Sequence, residues 1–171
     1  MPSFDAVGGG IIHSAVSNQW MTSDLQWRMH TDANFSTVRN LWYQRYHFIA
    51  SCNAIINKIA EGEITIDENI NNILGQSYAY RAWAYHQLVT TFAKGYLIGE
   101  PTTDLGVPLL FSSEAPYASK PRSTVQEVYD QIEKDIDTAI GYFENATPAE
   151  NKSHILSLIH ISEPTRLTCI S

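Results

Sequence analysis

Three segments of this 171-residue chain repeat apolar side chains at alternating spacings of three and four, the interval at which one face of an α-helix returns. In the first, over 36–60, the stripe is Trp42, Tyr46, Ile49, Asn53, Ile56 and Ala60, and Gly62 follows where a helix end favours glycine. The second runs from 67 to 92 or 93 on Leu74, Tyr78, Arg81, Tyr85, Leu88 and Phe92. Ala79, Ala82 and Ala84 lie on its other faces and allow neighbours to approach closely, while Gly75 costs about 1 kcal/mol relative to alanine. The third opens on Ser123-Thr124 and Gln126-Glu127, a capping-box pattern in which Thr124 and Glu127 satisfy free backbone donors reciprocally. Its buried face reads Val125, Val128, Tyr129, Ile132, Ile136, Ala139, Ile140 and Phe143. Asp130 and Lys134 are spaced for an ion pair on the wet side, and 145–148 ends the helix. No stretch alternates with period two, so the fold class is all-α. The short link between the first two helices predicts an antiparallel hairpin.

Two stretches fall outside this pattern. Residues 1–36 read as irregular, with Gly8-Gly9-Gly10, Trp20, Trp27 and Phe35, and one short helix around 14–20 or 24–30. Residues 94–122 form a long connection rich in Pro and Gly that carries Tyr96, Phe111 and Tyr117. A connection of that length without structure of its own is usually functional.

Composition narrows the class. Hydrophobic residues are 44% and charged residues 17%, as in globular proteins. No apolar run approaches the roughly 18 residues of a membrane-spanning helix. A net charge of −7, with Lys and Arg scattered and only Lys120 and Arg122 close together, excludes a nucleic-acid partner. Four Trp and nine Tyr exceed what a minimal helical core requires, and such rings suit cores, interfaces and sugar faces alike. Cys52 reads as a small buried hydrophobe, and with Cys169 it makes no disulfide framework. The opening Met1-Pro2-Ser3-Phe4-Asp5 lacks the basic and apolar regions of an export signal.

Catalytic chemistry has little support. His13, His30, His47, His86 and His154 show no metal-ligand spacing, so neither a metal nor a cofactor is expected. No serine sits in a G-x-S-x-G elbow. Asp135 and Asp137 point to different sides of a helix and cannot act as an acid/base pair. The chain therefore reads as a binding module and not an enzyme. Asn53 and Arg81 interrupt apolar stripes, and a buried amide or guanidinium must be hydrogen-bonded. Both are expected to tie down neighbouring backbone or a carboxylate.

These interruptions lie in runs that resemble the SusD/RagB family. Leu41-Trp42-Tyr43 with 49–56 (Ile-Ala-Ser-Cys-Asn-Ala-Ile-Ile) resembles that family's first characteristic helix, and 79–89, containing Arg81-Ala82, Tyr85 and Leu88, its "RA-x-x-Y-x-x-L" helix. A loop ending Gly106-Val107-Pro108-Leu109 follows, then Pro121-Arg122-Ser123-Thr124-Val125 opens the next helix, with Ile132, Asp135 and Ala139 in place. The likeness covers about 37–145. It implies tetratricopeptide-like helix pairs carrying Trp42, Asn53, Arg81, Tyr85 and Pro108 as structural motif positions. It further implies a non-catalytic, surface-exposed outer-membrane lipoprotein of Bacteroidetes-type bacteria. Such a protein binds glycans, or peptides in some members, and partners a TonB-dependent transporter in their uptake. The family's lipid anchor and signal peptide have no counterpart here, and its members are much longer. In the family some ligand contacts precede the first helix, which makes Trp20, Asp24, Trp27 and Arg28 candidates: a sugar stacks on Trp while Asp and Arg grip hydroxyls. Tyr96, Phe111 and Tyr117 are further candidates for the ligand or, equally, for the face turned to the transporter.

The last residues read differently. The run 156–166 (Leu-Ser-Leu-Ile-His-Ile-Ser-Glu-Pro-Thr-Arg) resembles the in-frame translation of a transposase adapter used to prepare sequencing libraries, and 167–171 fit its continuation. The expected organisation is an irregular segment over 1–36, an incomplete helical domain over 37–155, and an artefactual tail over 156–171. Two other functions remain open. A helical-repeat adaptor predicts a second repeat at a period of about 34 residues, which is not seen. A glycan-cleaving enzyme predicts opposed carboxylates in a cleft.

Overall fold

The computed structural model describes residues 35–62, 64–112 and 120–146. Residues 1–34 of the expected irregular segment and the expected tail fall outside these residues, as does Tyr117; Ser36, the last residue of that segment, already begins a helix. Among the described residues there are three helices: α1 (Ser36–Ala60), α2 (Glu68–Phe92) and α3 (Val125–Glu144). Among the described residues there is no strand, and the one β-type pairing is an isolated antiparallel bridge between Leu105 and Thr124. The all-α class read from periodicity is the class observed.

Local chemistry sets the helix ends. Gly62 takes φ +81°, the left-handed turn that closes α1, and its N–H bonds the Ile59 carbonyl at 3.1 Å. Asp67 caps α2 by accepting from the Ile70 amide at 2.8 Å. The capping box of α3 is formed in both directions: Thr124 Oγ1 accepts from the Glu127 amide, and the Glu127 carboxylate from the Thr124 amide.

The chain divides into two compact units, 1–44 and 45–171, with the boundary inside α1. Of the first unit the structure describes 35–44, the opening turns of α1, where Leu41 is buried and Trp42 half-buried. In the second unit the rest of α1 buries Tyr46, Ile49, Cys52, Asn53, Ile56 and Ile59. The stripe read from sequence is therefore offset at its ends. Leu41 and Ile59 are buried where Trp42 and Ala60 were expected, and Ala60 faces solvent beside the Glu61-Gly62 turn.

Within the second unit, α1 and α2 run antiparallel. Arg45 and Phe48 meet Trp83 and Tyr80, whereas Ile56 and Ile59 meet Leu74 farther along. On its other side α2 packs along α3, also antiparallel: Gly75 lies on Phe143, Tyr78 on Tyr142, Ala79 on Ala139 and His86 on Tyr129. Sandwiched in this way, α2 buries Gly75, Ser77, Ala79, Ala82 and Ala84 as well as its large residues. A Cβ at Gly75 would stand 2.7 Å from the Phe143 ring. Glycine is thus required there by close packing, which the sequence presents only as a helix penalty. The expected Asp130–Lys134 ion pair is not formed; Asp130 instead accepts from Gln126, one turn earlier, at 2.7 Å.

Candidate functional site

The polar interruptions of α1 and α2 converge on one buried network. Arg81 grips Asp135 of α3 with two nitrogens, at 2.8 and 2.7 Å, and donates a third bond to Asn53 Oδ1 at 2.8 Å. Gln131 adds a further donor to Asp135 at 2.7 Å. Arg81, Asn53 and Asp135 are 6%, 0% and 1% exposed, so each charge or amide is compensated by protein groups in place of water. Burial opposes the charge on Arg81, but the hydrogen bonds and charge of Asp135 outweigh it and raise the guanidinium above its ordinary pKa. The carboxylate expected to partner Arg81 is Asp135.

That network holds a strap. Residues 108–112 cross the helices, and each of the five successive carbonyls accepts from a side chain. Tyr46 donates to Pro108 at 2.9 Å and Lys120 to Leu109 at 3.3 Å. Asn53 donates to Leu110 at 2.8 Å and to Ser112 at 3.4 Å, and Asn57 to Phe111 at 3.1 Å. Tyr85 Oη donates to the Leu110 carbonyl and accepts from the Leu110 amide, both at 2.8 Å. Burial raises the pKa of Tyr46 and Tyr85, which keeps their hydroxyls protonated as donors. It also pushes the neighbouring Cys52 thiol up to about 11, away from nucleophilic chemistry.

Of the motif positions, Asn53, Arg81, Tyr85 and Pro108 thus meet in one place. Trp42 belongs to the other unit. Among the ligand candidates, Trp20, Asp24, Trp27 and Arg28 lie outside the described residues. Tyr96 is half-buried at the base of the connection, its hydroxyl on Gln126 Oε1 and its ring edge-on to Tyr129 at 5.1 Å. Sequence reasoning missed Asn57, and it noted Tyr46 only as an apolar member of the α1 stripe. The signal available was a polar handle every turn or two, at Tyr46, Asn53 and Asn57, along one side of α1.

A second feature lies at the edge of this network. Arg81 Cζ stands 5.1 Å from the Tyr78 ring and 5.5 Å from the Phe111 ring, and Tyr78 stacks on Tyr142 at 5.7 Å and 13°. Phe111 is 42% exposed, and the two tyrosines are half-buried. Among the described residues no group of three or more His, Cys, Asp or Glu is placed to hold a metal ion, and no helix is long and apolar enough to cross a membrane.

Comparison with known proteins places this scaffold. A family model described as "starch-binding associating with outer membrane", of SusD-like type, matches residues 10–158. The chain is also similar to SusD-like protein P38 of Formosa agariphila, at 34% identity over 107 residues. That alignment covers 61% of this chain and 18% of the relative's length. The chain belongs to the SusD-like family of starch-binding proteins associated with the outer membrane.

Proposed function

We propose that this chain is part of a non-catalytic, surface-exposed lipoprotein that binds glycans and hands them to a TonB-dependent outer-membrane transporter for uptake. The family match over residues 10–158 carries this reading. The chemistry of the described residues agrees with it. The one fully buried carboxylate among them, Asp135, is committed to hydrogen bonds from Arg81 and Gln131. The helical surfaces serve as a rigid frame, and the lipid anchor belongs to the full-length protein. Of the ligand classes, glycan is preferred to peptide. The side chains of α1 and α2 that would read an extended peptide already hold the chain's own 108–112.

Two measurements test the reading. Affinity electrophoresis of the chain through gels containing soluble starch or other polysaccharides should retard it against a non-binding control. The full gene should encode a lipidated cysteine after a signal peptide and lie beside a transporter gene whose product co-purifies. A full-length frame without a lipidation signal, together with unretarded migration across a polysaccharide panel, would overturn it.

A further inference from the structure

We propose that the face of α1 and α2 carrying Phe48, Ile55, Ile66, Ile73 and Tyr80 seats a helix of the same polypeptide, from the part of the full-length protein that follows residue 155. This docking is independent of which ligand the protein binds. Register, charge and chain length each support it.

Register places these residues on one seam. In the antiparallel pair, Arg45 lies on Trp83 at 4.5 Å and Phe48 is edge-on to Tyr80 at 5.7 Å. Seven residues make two turns of a helix, so the register that brings 48 to 80 brings Ile55 to Ile73. The strap is gripped from the Asn53 side of α1, which points away from Ile55. Exposure along the seam rises toward the hairpin turn. Phe48 and Tyr80 are half-buried, whereas Ile55, Ile73 and Ile66 are 41%, 43% and 56% exposed. Isoleucines gathered at the open end of a packed hairpin mark a surface of contact with another element.

The same stretch is free of charge. No Asp, Glu, Lys or Arg occurs in 46–57 or in 69–80, although 17% of the chain is charged. Even the exposed Ser51 and Ala54 are neutral. Solvated helix faces carry charges, and the centres of contact surfaces shed them. Lys58, Glu61 and Glu68 resume at the hairpin end as a rim. The occupant is therefore an amphipathic helix whose contacting stripe is aliphatic and uncharged.

Chain length identifies its source. The 107 aligned residues are 18% of the relative's length, so a protein of that size has about four fifths of its residues outside the aligned helices, still to be packed. The end of α3 lies at the open end of the seam. Asn71, in the first turn of α2, donates to the Asn145 carbonyl at 3.1 Å, and Ala146 is buried. Ile73 is two residues farther along α2. Chain that continues from this point is within reach of the face.

The test uses the full-length protein encoded by the intact gene. In Ile55→Cys and Ile73→Cys, a maleimide should label the new thiol at least about tenfold more slowly than in Glu133→Cys, an exposed position on α3. Cys52 is buried and its thiol is pushed up to about 11, so it stays silent. A benzophenone amino acid in place of Ser51 or Ile73 should then cross-link, within one molecule, to a peptide beyond residue 155. Labelling at the control rate would overturn the docking, as would the absence of any cross-link from both positions. Cross-links only between two copies would replace the occupant with self-association, and cross-links only to another protein would replace it with that partner; either overturns the proposal. Should Ile73→Cys fail to fold, Ile55→Cys and the Ser51 cross-link decide the same question. An intact gene whose frame stops before a further helix would overturn it outright.

Discussion

The connection between α2 and α3 has two halves that are ordered by opposite means. Residues 94–106 are shaped by their own turns. The Ile98 and Gly99 amides bond the Gly95 carbonyl, those of Thr103 and Asp104 bond Glu100, and the Asp104 carboxylate takes the Glu100 amide and pairs with Lys94. The bond from the Glu100 amide, aided by Lys94, lowers the Asp104 pKa. Residues 107–112 make no such turns. Apart from a bond from the Ser123 amide to Val107, their main chain is held by side chains from α1, α2 and Lys120. The first half is built of local turns and closed by main-chain bonds to the start of α3, at Pro101, Asp104 and Gly106; the second is held by side chains of the assembled helices.

Removing the cation at the centre of the network should separate the halves most sharply. Arg81→Ala leaves Asp135 as an uncompensated buried charge and frees Asn53, and should destabilise the chain by about 3–5 kcal/mol. Amide exchange should accelerate over 107–112 well before 94–106. Equal loss of protection in both halves would break the contrast.

Tyr85→Phe is a milder version of the same experiment. It deletes one hydroxyl that satisfies both the amide and the carbonyl of Leu110, at a cost of about 1–2 kcal/mol. The Leu110 amide should lose protection individually, and an unaltered exchange rate there would show that Asn53 alone holds the strap.

Lys94→Ala probes the local half and should change stability less than either of the variants above, because the pair with Asp104 is open to water, with 54% of the lysine side chain exposed. Thermal melts at low and high salt should differ less for the variant than for the wild type. A large loss would mean that this half depends on its ion pair more than on its turns.

The smallest effect concerns pH. His86 lies edge-on to Tyr129, which also supports Tyr96, and its Nε2 is buried without a partner. Burial lowers its pKa below the ordinary value of 6.5. The folded state therefore favours the neutral ring. Its contribution is complete above the unfolded value, declines as pH falls below it, and levels off under the folded value. His86→Phe should flatten melting temperature against pH in that window, with exchange changes confined to the Tyr96 side.

The two halves were unequally legible in sequence. Helix spans, the Thr124 cap and the Gly62 turn follow from side-chain periodicity and local hydrogen bonding, which neighbouring residues determine. Arg81 and Asn53 stood out as polar residues in apolar stripes, and that anomaly correctly signalled a buried network. Its partners did not stand out, because Asp135 is 54 residues from Arg81 and the Leu110 carbonyl 57 from Asn53. Backbone oxygens carry no mark in a sequence.

The strap is gripped by main-chain oxygens, one after another, and that has a consequence for how its gene can vary. Exchanging one side chain for another at 109 or 112 leaves every acceptor where it was. Deleting or inserting one residue moves every later oxygen about 3.3 Å along the segment, past its donor. The stretch therefore tolerates changes of spelling and resists changes of length.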